Sequence, residues 1–273
     1  MRTLFLFLLI DIYGMPCGLA QYLSGAGNPW NLGAYSSRHA DIFSVSANPA
    51  ALVRVKPAIA VGAERRYLMN ELATHRLLVA TGNFGLQGIS RGFSDYRESR
   101  FGLAYARRLG DKAEAGMQFN YNSLQVTGYG GAKAVSAEVG VLLHLSAKLH
   151  TGIHLDNPAA SQFGNRKLNV PSIYTFGWGY ELSAGMLLSA EVTKEETQSI
   201  DTRLGIQYIV SPLILLRAAI QTVNTTFWFG AGFTRKAWRL DLYSGHHPQL
   251  GISAGLMLAC TFGKEKEPLD GGP

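Results

Sequence analysis

The sequence predicts an all-β protein: a transmembrane antiparallel β-barrel of about 14 strands, preceded by a short, partly helical plug-like segment. Three observations predict it. Apolar and polar residues alternate along most of the chain, charged residues are scarce at 16%, and turn-like gaps separate segments of about ten residues, the length that a tilted transmembrane strand needs. An even strand number and closure suit a bilayer, because lipid cannot satisfy the hydrogen-bonding groups of an open sheet edge.

The stretch 113–145 shows the alternation most clearly and reads as one long hairpin. Its first arm sets Met117, Phe119 and Tyr121 against Gln118 and Asn120. A glycine-rich gap follows at 127–131, and the second arm alternates in the same way. Successive side chains of a strand point to opposite faces, so a period of two separates an apolar face from a polar one.

From Pro57 onward the pattern recurs in fourteen candidate strands. The first apolar residues that mark them are Ile59, Leu77, Phe84, Phe101, Ala113, Val135, Leu149, Tyr174, Met186, Ile200, Ile214, Phe227, Trp238 and Ile252. The longest gap, 157–171, follows the seventh candidate strand and is expected to be a loop.

Composition argues against several other classes of protein. An average soluble domain has about 25% charged residues, which this chain does not reach, whereas its 31 glycines and 11% aromatic residues suit membrane strands. The net charge of +6 comes from basic residues scattered singly along the chain. Without a basic helix or an aromatic RNA-binding signature, we expect no nucleic-acid partner.

The two ends of the chain do not alternate. Residues 1–20 resemble a secretory signal peptide, with Arg2 before an apolar run and Gly18-Leu19-Ala20 as the cleavage site. We interpret 21–56 as a plug-like segment, 57–263 as the outer-membrane barrel and 264–273 as a polar tail. Removal of the signal peptide leaves Cys260 as the one cysteine, so no intramolecular disulfide is expected. The predicted location is the bacterial outer membrane, with its lipid as a partner.

Twelve charged residues fall on the faces predicted to point into the barrel. Both signs are present, so these side chains are expected to pair as a salt-bridge network that fills the lumen; the alternative is a polar conduit whose selectivity they tune. The residues are Glu64, Arg66, Glu114, Glu138, Lys148, Glu181, Glu191, Asp201, Arg203, Arg217, Arg239 and Asp241.

Five histidines are candidate metal ligands. His144, His150 and His154 share a predicted face of neighbouring strands, but His150 and His154 are roughly 13 Å apart at strand rise, too far to share one ion. His246 and His247 lie in an expected loop without a cluster of ligands. We therefore predict no metal site, no cofactor and, in the absence of a recognisable catalytic motif, no enzymatic activity.

A short motif lies between the expected signal peptide and the barrel. Asn48-Pro49-Ala50 follows Ser46-Ala47 and precedes Ala51-Leu52; Ser46 or Asn48 is placed to cap a helical turn that has Pro49 at its first position. Together with Gly33-Ala34, Ser37-Arg38 and Ala40-Asp41, this stretch resembles the N-terminal signature of the PorV/PorQ family, outer-membrane proteins of Bacteroidetes related to the fatty-acid transporter FadL. From the Asn-Pro turn chemistry we expect Asn48 to fix the N-terminal segment inside the barrel.

The resemblance implies two roles. The first is an accessory or scaffold component in type IX protein secretion or surface attachment, with a larger secretion translocon or exported cargo proteins as partners. The alternative is a FadL-like channel for hydrophobic small molecules, with the N-terminal segment as its plug. The inward faces read as polar, which favours the first role.

Overall fold

The computed structural model describes residues 29–164, 168–196, 198–223 and 225–262. The expected signal peptide and polar tail lie outside the described residues. Fourteen strands close into an antiparallel barrel, which confirms the predicted fold class and strand number. Two further short strands form a hairpin in the longest loop.

The strands are numbered in chain order. The first seven are β1 (Ala58–Arg65), β2 (Ala73–Thr81), β3 (Phe84–Gly92), β4 (Tyr96–Arg108), β5 (Ala113–Val126), β6 (Gly130–His144) and β7 (Leu149–Asp156). The loop hairpin is β8 (Gln162–Phe163) and β9 (Leu168–Asn169). The last seven are β10 (Ile173–Ser183), β11 (Met186–Glu195), β12 (Asp201–Ser211), β13 (Ile214–Gln221), β14 (Thr226–Arg235), β15 (Trp238–His247) and β16 (Gly251–Thr261).

Each barrel strand pairs with the next one along the chain, and β7 pairs with β10 across the loop hairpin. Pairing of β1 with β16, from Ala58 opposite Thr261 to Arg65 opposite Ala254, closes the barrel. Closure pairs the first strand with the last, so neither of them presents an open edge to lipid.

The alternation separates the two faces of the wall. On β5, Gln118 and Asn120 are buried, whereas Phe119 and Tyr121 are exposed on the outside. The same alternation holds around the barrel: large apolar side chains cover the exterior, and polar residues, small residues and some large apolar residues line the interior. Such an exterior suits hydrocarbon rather than water. Among the described residues, no helix has the length and apolarity needed to cross a membrane.

The two rims of the barrel differ. At one, the short-turn end, connections of two to four residues join the strands, and β1 starts and β16 finishes there. At the other, the long-loop end, connections range from three to sixteen residues. The longest, 157–172, was expected to be a plain loop but contains β8 and β9, where Phe163 and Val170 pack on Ala134 of β6.

The strands are also of unequal length. Strands β4, β5 and β6 have 13, 14 and 15 residues, whereas the adjoining β7 has 8. Because His144 pairs with His150 at the short-turn end, the extra residues of β6 extend beyond β7 at the long-loop end. There the loop covers part of its free edge, with Asn157 N donating to Ala137 O and Gly164 N to Lys133 O.

Candidate functional site

The N-terminal residues 29–56, here called the internal segment, lie inside the barrel near the short-turn end. They form three short 3₁₀ helices, Pro29–Tyr35, Ile42–Ser46 and Pro49–Val53. Ala34, Tyr35, Ala50, Ala51 and Leu52 have no solvent exposure at all. These residues therefore pack tightly against the inner wall of the barrel.

Two side chains fix the helical turns of this segment. Asp41 caps the second helix in a capping box with Ser44, and Asn48 caps the third through a 3.0 Å bond that its Oδ1 accepts from Ala50 N. Pro49 follows at the first helical position, where its missing N–H has no cost. The caps satisfy backbone donors that would otherwise be buried without a partner.

Asn48 also ties the segment to the wall. Its Nδ2 donates to the carbonyl oxygens of Val141 in β6 and Ile153 in β7, at 3.4 and 3.2 Å. The motif residues Asn48, Pro49 and Ala50 thus lie against β5–β7. Their anchoring role stays a prediction that mutation can test.

Inward-facing glycines make room for the segment. A Cβ built on Gly140 would overlap the Asn48 amide, and one on Gly116 would lie 2.5 Å from Ala50 N. On β10, Cβ atoms at Gly177 and Gly179 would overlap Tyr35. Here glycine is required by close approach of the internal segment rather than by its own backbone angles.

The other side of the segment is apolar. Its side chains pack against small or apolar inward residues of β1, β2, β4 and β13–β16 in one hydrophobic cluster, here called the apolar seam. The segment contributes Leu32, Ile42, Phe43, Val45, Leu52 and Val55, and the wall contributes Ala58, Ala60, Leu78, Ala80, Ala104, Ala106, Ala219, Trp228, Tyr243, Met257 and Ala259. The expectation of a polar interior therefore holds for part of the wall only, because alanines line much of the remainder.

One ion-pair network joins the segment to β13 and β15. Asp41 Oδ2 lies 2.7 Å from Arg217 Nη2 and 2.8 Å from Arg239 Nη2. Asp241 in turn lies 2.7 Å from Arg239 Nε and 3.4 Å from Arg217 Nη1. Two arginines and two carboxylates balance in charge, which makes their burial tolerable.

A second network fills the barrel toward the long-loop end. Arg100 of β4 donates through Nη1 to Glu138 Oε1 at 2.8 Å and to Asp156 Oδ2 at 3.0 Å. The other Glu138 oxygen lies 2.9 Å from His154 Nε2, and Asn120 donates to Oε1 at 2.7 Å. All these side chains are buried, so the network is a polar core rather than a surface feature.

The remaining predicted residues are placed as follows. Arg203 pairs with Glu191 at 2.8 Å, and Glu114 and Glu181 are buried beside the internal segment. Glu64, near the long-loop end, lies 3.4 Å from partly exposed Arg66; Asp201 is half-buried at the same end. The prediction that Lys148 points inward is wrong: β7 begins at Leu149, so Lys148 lies exposed in a turn.

Sequence reasoning missed three charged residues of these networks. Asp156 was assigned to the polar face of the seventh candidate strand but was not counted among the inward charges. Arg100 continues the inward alternation of β4, so extending the period of two by two residues would have found it. Asp41 and Arg54 belong to the internal segment, where no period indicates a direction. Among the described ranges, no group of three or more His, Cys, Asp or Glu side chains is arranged to hold a metal ion.

Two cavities adjoin the apolar seam. One, of about 670 Å³, is a groove on the outer wall between β12 and β15, lined by Tyr208, Leu216, Phe229 and Leu242 over the small residues of β13 and β14. The other, of about 360 Å³, opens at the short-turn end between the internal segment and β14–β16. The strand layer of β13–β15 alone separates the outer groove from the seam.

The architecture matches solved membrane transporters. The chain is similar to the toluene transporter TbuX of Ralstonia pickettii, with a TM-score of 0.66 at 10% identity over 88% of this chain and 100% of that one. It is similar to the CymD monoaromatic hydrocarbon channel, with a TM-score of 0.59 at 11% identity over 87% of this chain and 100% of that one. It also resembles a FadL homologue of Pseudomonas aeruginosa (0.55, 12%, 86% and 96%). The barrel is FadL-like.

No protein-family model and no curated protein sequence matches the chain. At about a tenth of residues identical, the similarity to the three solved structures shows the fold alone. Two of the three are a toluene transporter and a monoaromatic hydrocarbon channel. The FadL-like barrel thus agrees with the broader part of the resemblance drawn from the sequence, whereas the PorV/PorQ signature itself rests on residues 33–52.

Proposed function

We propose that this protein is an outer-membrane channel for hydrophobic small molecules. The observation that carries the proposal is the apolar seam, which lies inside a barrel whose fold is shared with hydrocarbon transporters. A polar lumen would reject such molecules because they cannot repay the desolvation of its side chains. An alanine-lined wall has no such cost.

The internal segment is the plug of this channel. In the docked position its own apolar side chains cover the alanines of β1, β2, β4 and β16. Displacement of the segment uncovers that wall along its length, while the network of Arg100, Glu138, Asp156 and His154 keeps its partners because all four residues belong to the wall. A hydrophobic solute then replaces, on one side of the lumen, contacts that the segment made before.

Uptake measurements test the proposal. The full chain is expressed in the outer membrane of a bacterium that has no hydrocarbon channel, and entry of radiolabelled toluene and of a radiolabelled long-chain fatty acid is followed. We expect uptake above that of cells with empty vector. In the Ala259→Phe variant the new ring projects into the short-turn cavity beside the seam. Uptake by this variant should be several-fold lower, because the ring narrows the route.

Leu258→Phe is the matched control, since Leu258 is the next residue of β16 and faces outward. Equal uptake by the two variants would show that solutes do not pass along the apolar seam. Uptake of both solutes no higher than with empty vector would refute the channel.

The second candidate is an accessory or scaffold role in type IX secretion or surface attachment. The observation that favours it is the tight packing of the lumen by buried residues and paired charges, which suits a structural barrel. A pull-down in mild detergent from native membranes distinguishes the two. Stoichiometric recovery of a larger translocon or of exported cargo proteins supports this role, whereas a barrel recovered alone with bound hydrophobic solute supports the channel.

A further inference from the structure

Four buried side chains form a row across four neighbouring strands at the short-turn end. They are Glu114 of β5, His144 of β6, His150 of β7 and Glu181 of β10. His144 Nδ1 lies 2.8 Å from His150 Nδ1. Outward from this pair, His144 Nε2 lies 3.3 Å from Glu114 Oε2 and His150 Nε2 lies 3.1 Å from Glu181 Oε1. The order is carboxylate, imidazole, imidazole, carboxylate.

The central contact fixes the number of protons in the row. Two facing ring nitrogens at hydrogen-bond distance need one hydrogen between them: with none, two lone pairs repel, and with two, the N–H groups collide. Each outer contact is favourable when Nε2 carries a hydrogen that points toward its carboxylate. Both Nε2–carboxylate distances are within ion-pair range, although neither Nε2 atom makes a hydrogen bond of good geometry. Three contacts thus require three protons on two imidazoles, which is one positive charge shared by the pair.

Both ends of the row hold the internal segment. Arg54, where the segment leaves its last helix, is ion-paired with Glu114. At the other end, Glu181 Oε1 accepts from Ser36 Oγ at 2.6 Å, from Ser37 N at 2.8 Å and from Arg38 N at 3.2 Å. The row therefore connects the two places at which the segment meets β5–β10 through charged groups.

We propose that this row is a proton-binding latch, in which the single proton shared by His144 and His150 keeps the internal segment docked. Gain of a second proton at the pair places two N–H groups face to face and parts the rings. Loss of the shared proton leaves one imidazole lone pair facing a carboxylate. Either change breaks one contact of the row and loosens the grip on Arg54 or on residues 36–38. The latch does not depend on which solute the barrel transports.

Other charged groups around the row are few. The segment presents Arg54 to Glu114 and Arg38 to Glu181, and His39 lies near Glu181, with Arg38 and Arg217 also acting on it. Burial, the largest effect, lowers the pKa of His39, and its Nδ1 lies 3.2 Å from Gln207 Nε2. His39 thus contributes to acid sensitivity by a separate route, and the experiment must remove that contribution.

A metal ion between the two histidines is the competing explanation of their approach. Glu114 and Glu181 each approach an Nε2 atom rather than the space between the two Nδ1 atoms. Among the described residues no group of three or more His, Cys, Asp or Glu side chains is arranged to hold a metal ion, whereas structural sites usually have four ligands. A proton needs none, and 2.8 Å is an ordinary length for a hydrogen bond between nitrogens.

The experiment measures the position of the segment directly. Spin labels are placed on cysteines at Ala40 in the segment and Lys236 in the β14–β15 turn, in a full chain with Cys17 and Cys260 replaced by serine and His39 by glutamine. Electron–electron distances are recorded in lipid nanodiscs at about pH 4.5, 7 and 10, values that bracket histidine titration. We expect one short distance near neutrality and a longer, broader distribution at both extremes.

The ratio of docked to released segment should fall roughly tenfold both at acid and at alkaline pH, because each change removes about one hydrogen bond to a charged group. His144→Gln with His150→Gln should abolish the bell shape, whereas His154→Gln, a buried histidine of the other network, should retain it. A wild-type distribution that does not change with pH overturns the latch. So does a bell shape that survives the double variant, or a stoichiometric metal ion whose chelation alone releases the segment.

Discussion

The ring of Tyr35 occupies the space that a side chain at Gly177 would need, because a Cβ built on Gly177 would overlap the ring. Tyr35 is fully buried, and the next inward residue of β10, Gly179, is in the same relation to the Tyr35 backbone. The internal segment and β10 therefore fit only while both positions are glycine.

Gly177→Ala should displace Tyr35 and loosen the internal segment while the barrel stays closed. Overpacking of this kind costs about 1–3 kcal/mol, so we expect faster proteolysis within 31–55 and unchanged heat-modifiable migration in gels. Gly88→Ala in β3 is the control, since a Cβ there meets only ordinary contacts, the nearest at 3.6 Å. Equal protease resistance of both variants would contradict the tight fit.

Asn48→Ala removes a helix cap and two bonds to the wall together. The cap alone is worth about 1 kcal/mol, and the Val141 and Ile153 carbonyls lose a donor, so docking should weaken by about 1–3 kcal/mol. Protease protection of the segment, measured against urea, reports the change. Ser46→Ala, which removes one bond to Gln87, should cost less; an Asn48 variant as protected as the wild type would sink the anchoring role.

Arg100→Met leaves Glu138 and Asp156 buried without their shared cation. Breaking a buried pair in this way costs about 3–5 kcal/mol, so thermal unfolding in detergent should shift downward strongly. Arg97→Met, on the exposed part of the same strand, makes the same change in charge without uncovering a carboxylate and should shift little. Similar shifts for both would show that the network contributes nothing specific.

Asp41 gives docking a dependence on pH with a definite sign. Burial alone would raise its pKa, but Arg239 and Arg217 outweigh burial and hold the pKa below the usual value. The docked carboxylate therefore contributes fully above about pH 4, the value in an unfolded chain, and the contribution is lost as pH falls through the docked pKa.

We accordingly expect Asp41→Asn to weaken docking at neutral pH and to flatten its loss below about pH 4. Urea titration of protease protection at several pH values measures both effects. If docking of the variant is lost as steeply at acid pH as docking of the wild type, the loss is caused by groups other than Asp41.

The sequence predicted the strands more accurately than it predicted the contacts inside the barrel. Alternation placed Gln118 and Asn120 inside and Phe119 outside, as found, because a strand must point successive side chains to opposite faces. The same rule was applied past the true start of β7 and placed Lys148 inside as well. Lys148 lies in a turn instead, where its ammonium group is solvated. A period of two identifies a face but not the neighbour across the lumen.

For that reason the pairing of Arg100 with Glu138 was not predictable from the sequence. The sequence placed His144 and His150 on one face of neighbouring strands, but their approach depends on the register of β6 with β7, which alternation does not give. The polarity of the interior was misjudged for a related reason. Alanines such as Ala104 and Ala106 carry no signal of their own, and they become an apolar surface only when the segment packs on them. The cap at Asn48 was recognisable because it is local, with Pro49 directly after it.

The difference in length between β6 and β7 gives the molecule a sloping outline. Seven additional residues correspond to about 20 Å or more along the strand. A bilayer that covers the eight residues of β7 from the short-turn end would leave the long-loop ends of β4, β5 and β6 above the lipid. At the long-loop end the barrel wall is therefore taller along β4–β6 than along β1 and β2, which have 8 and 9 residues, and a molecule that approaches this rim meets an uneven wall.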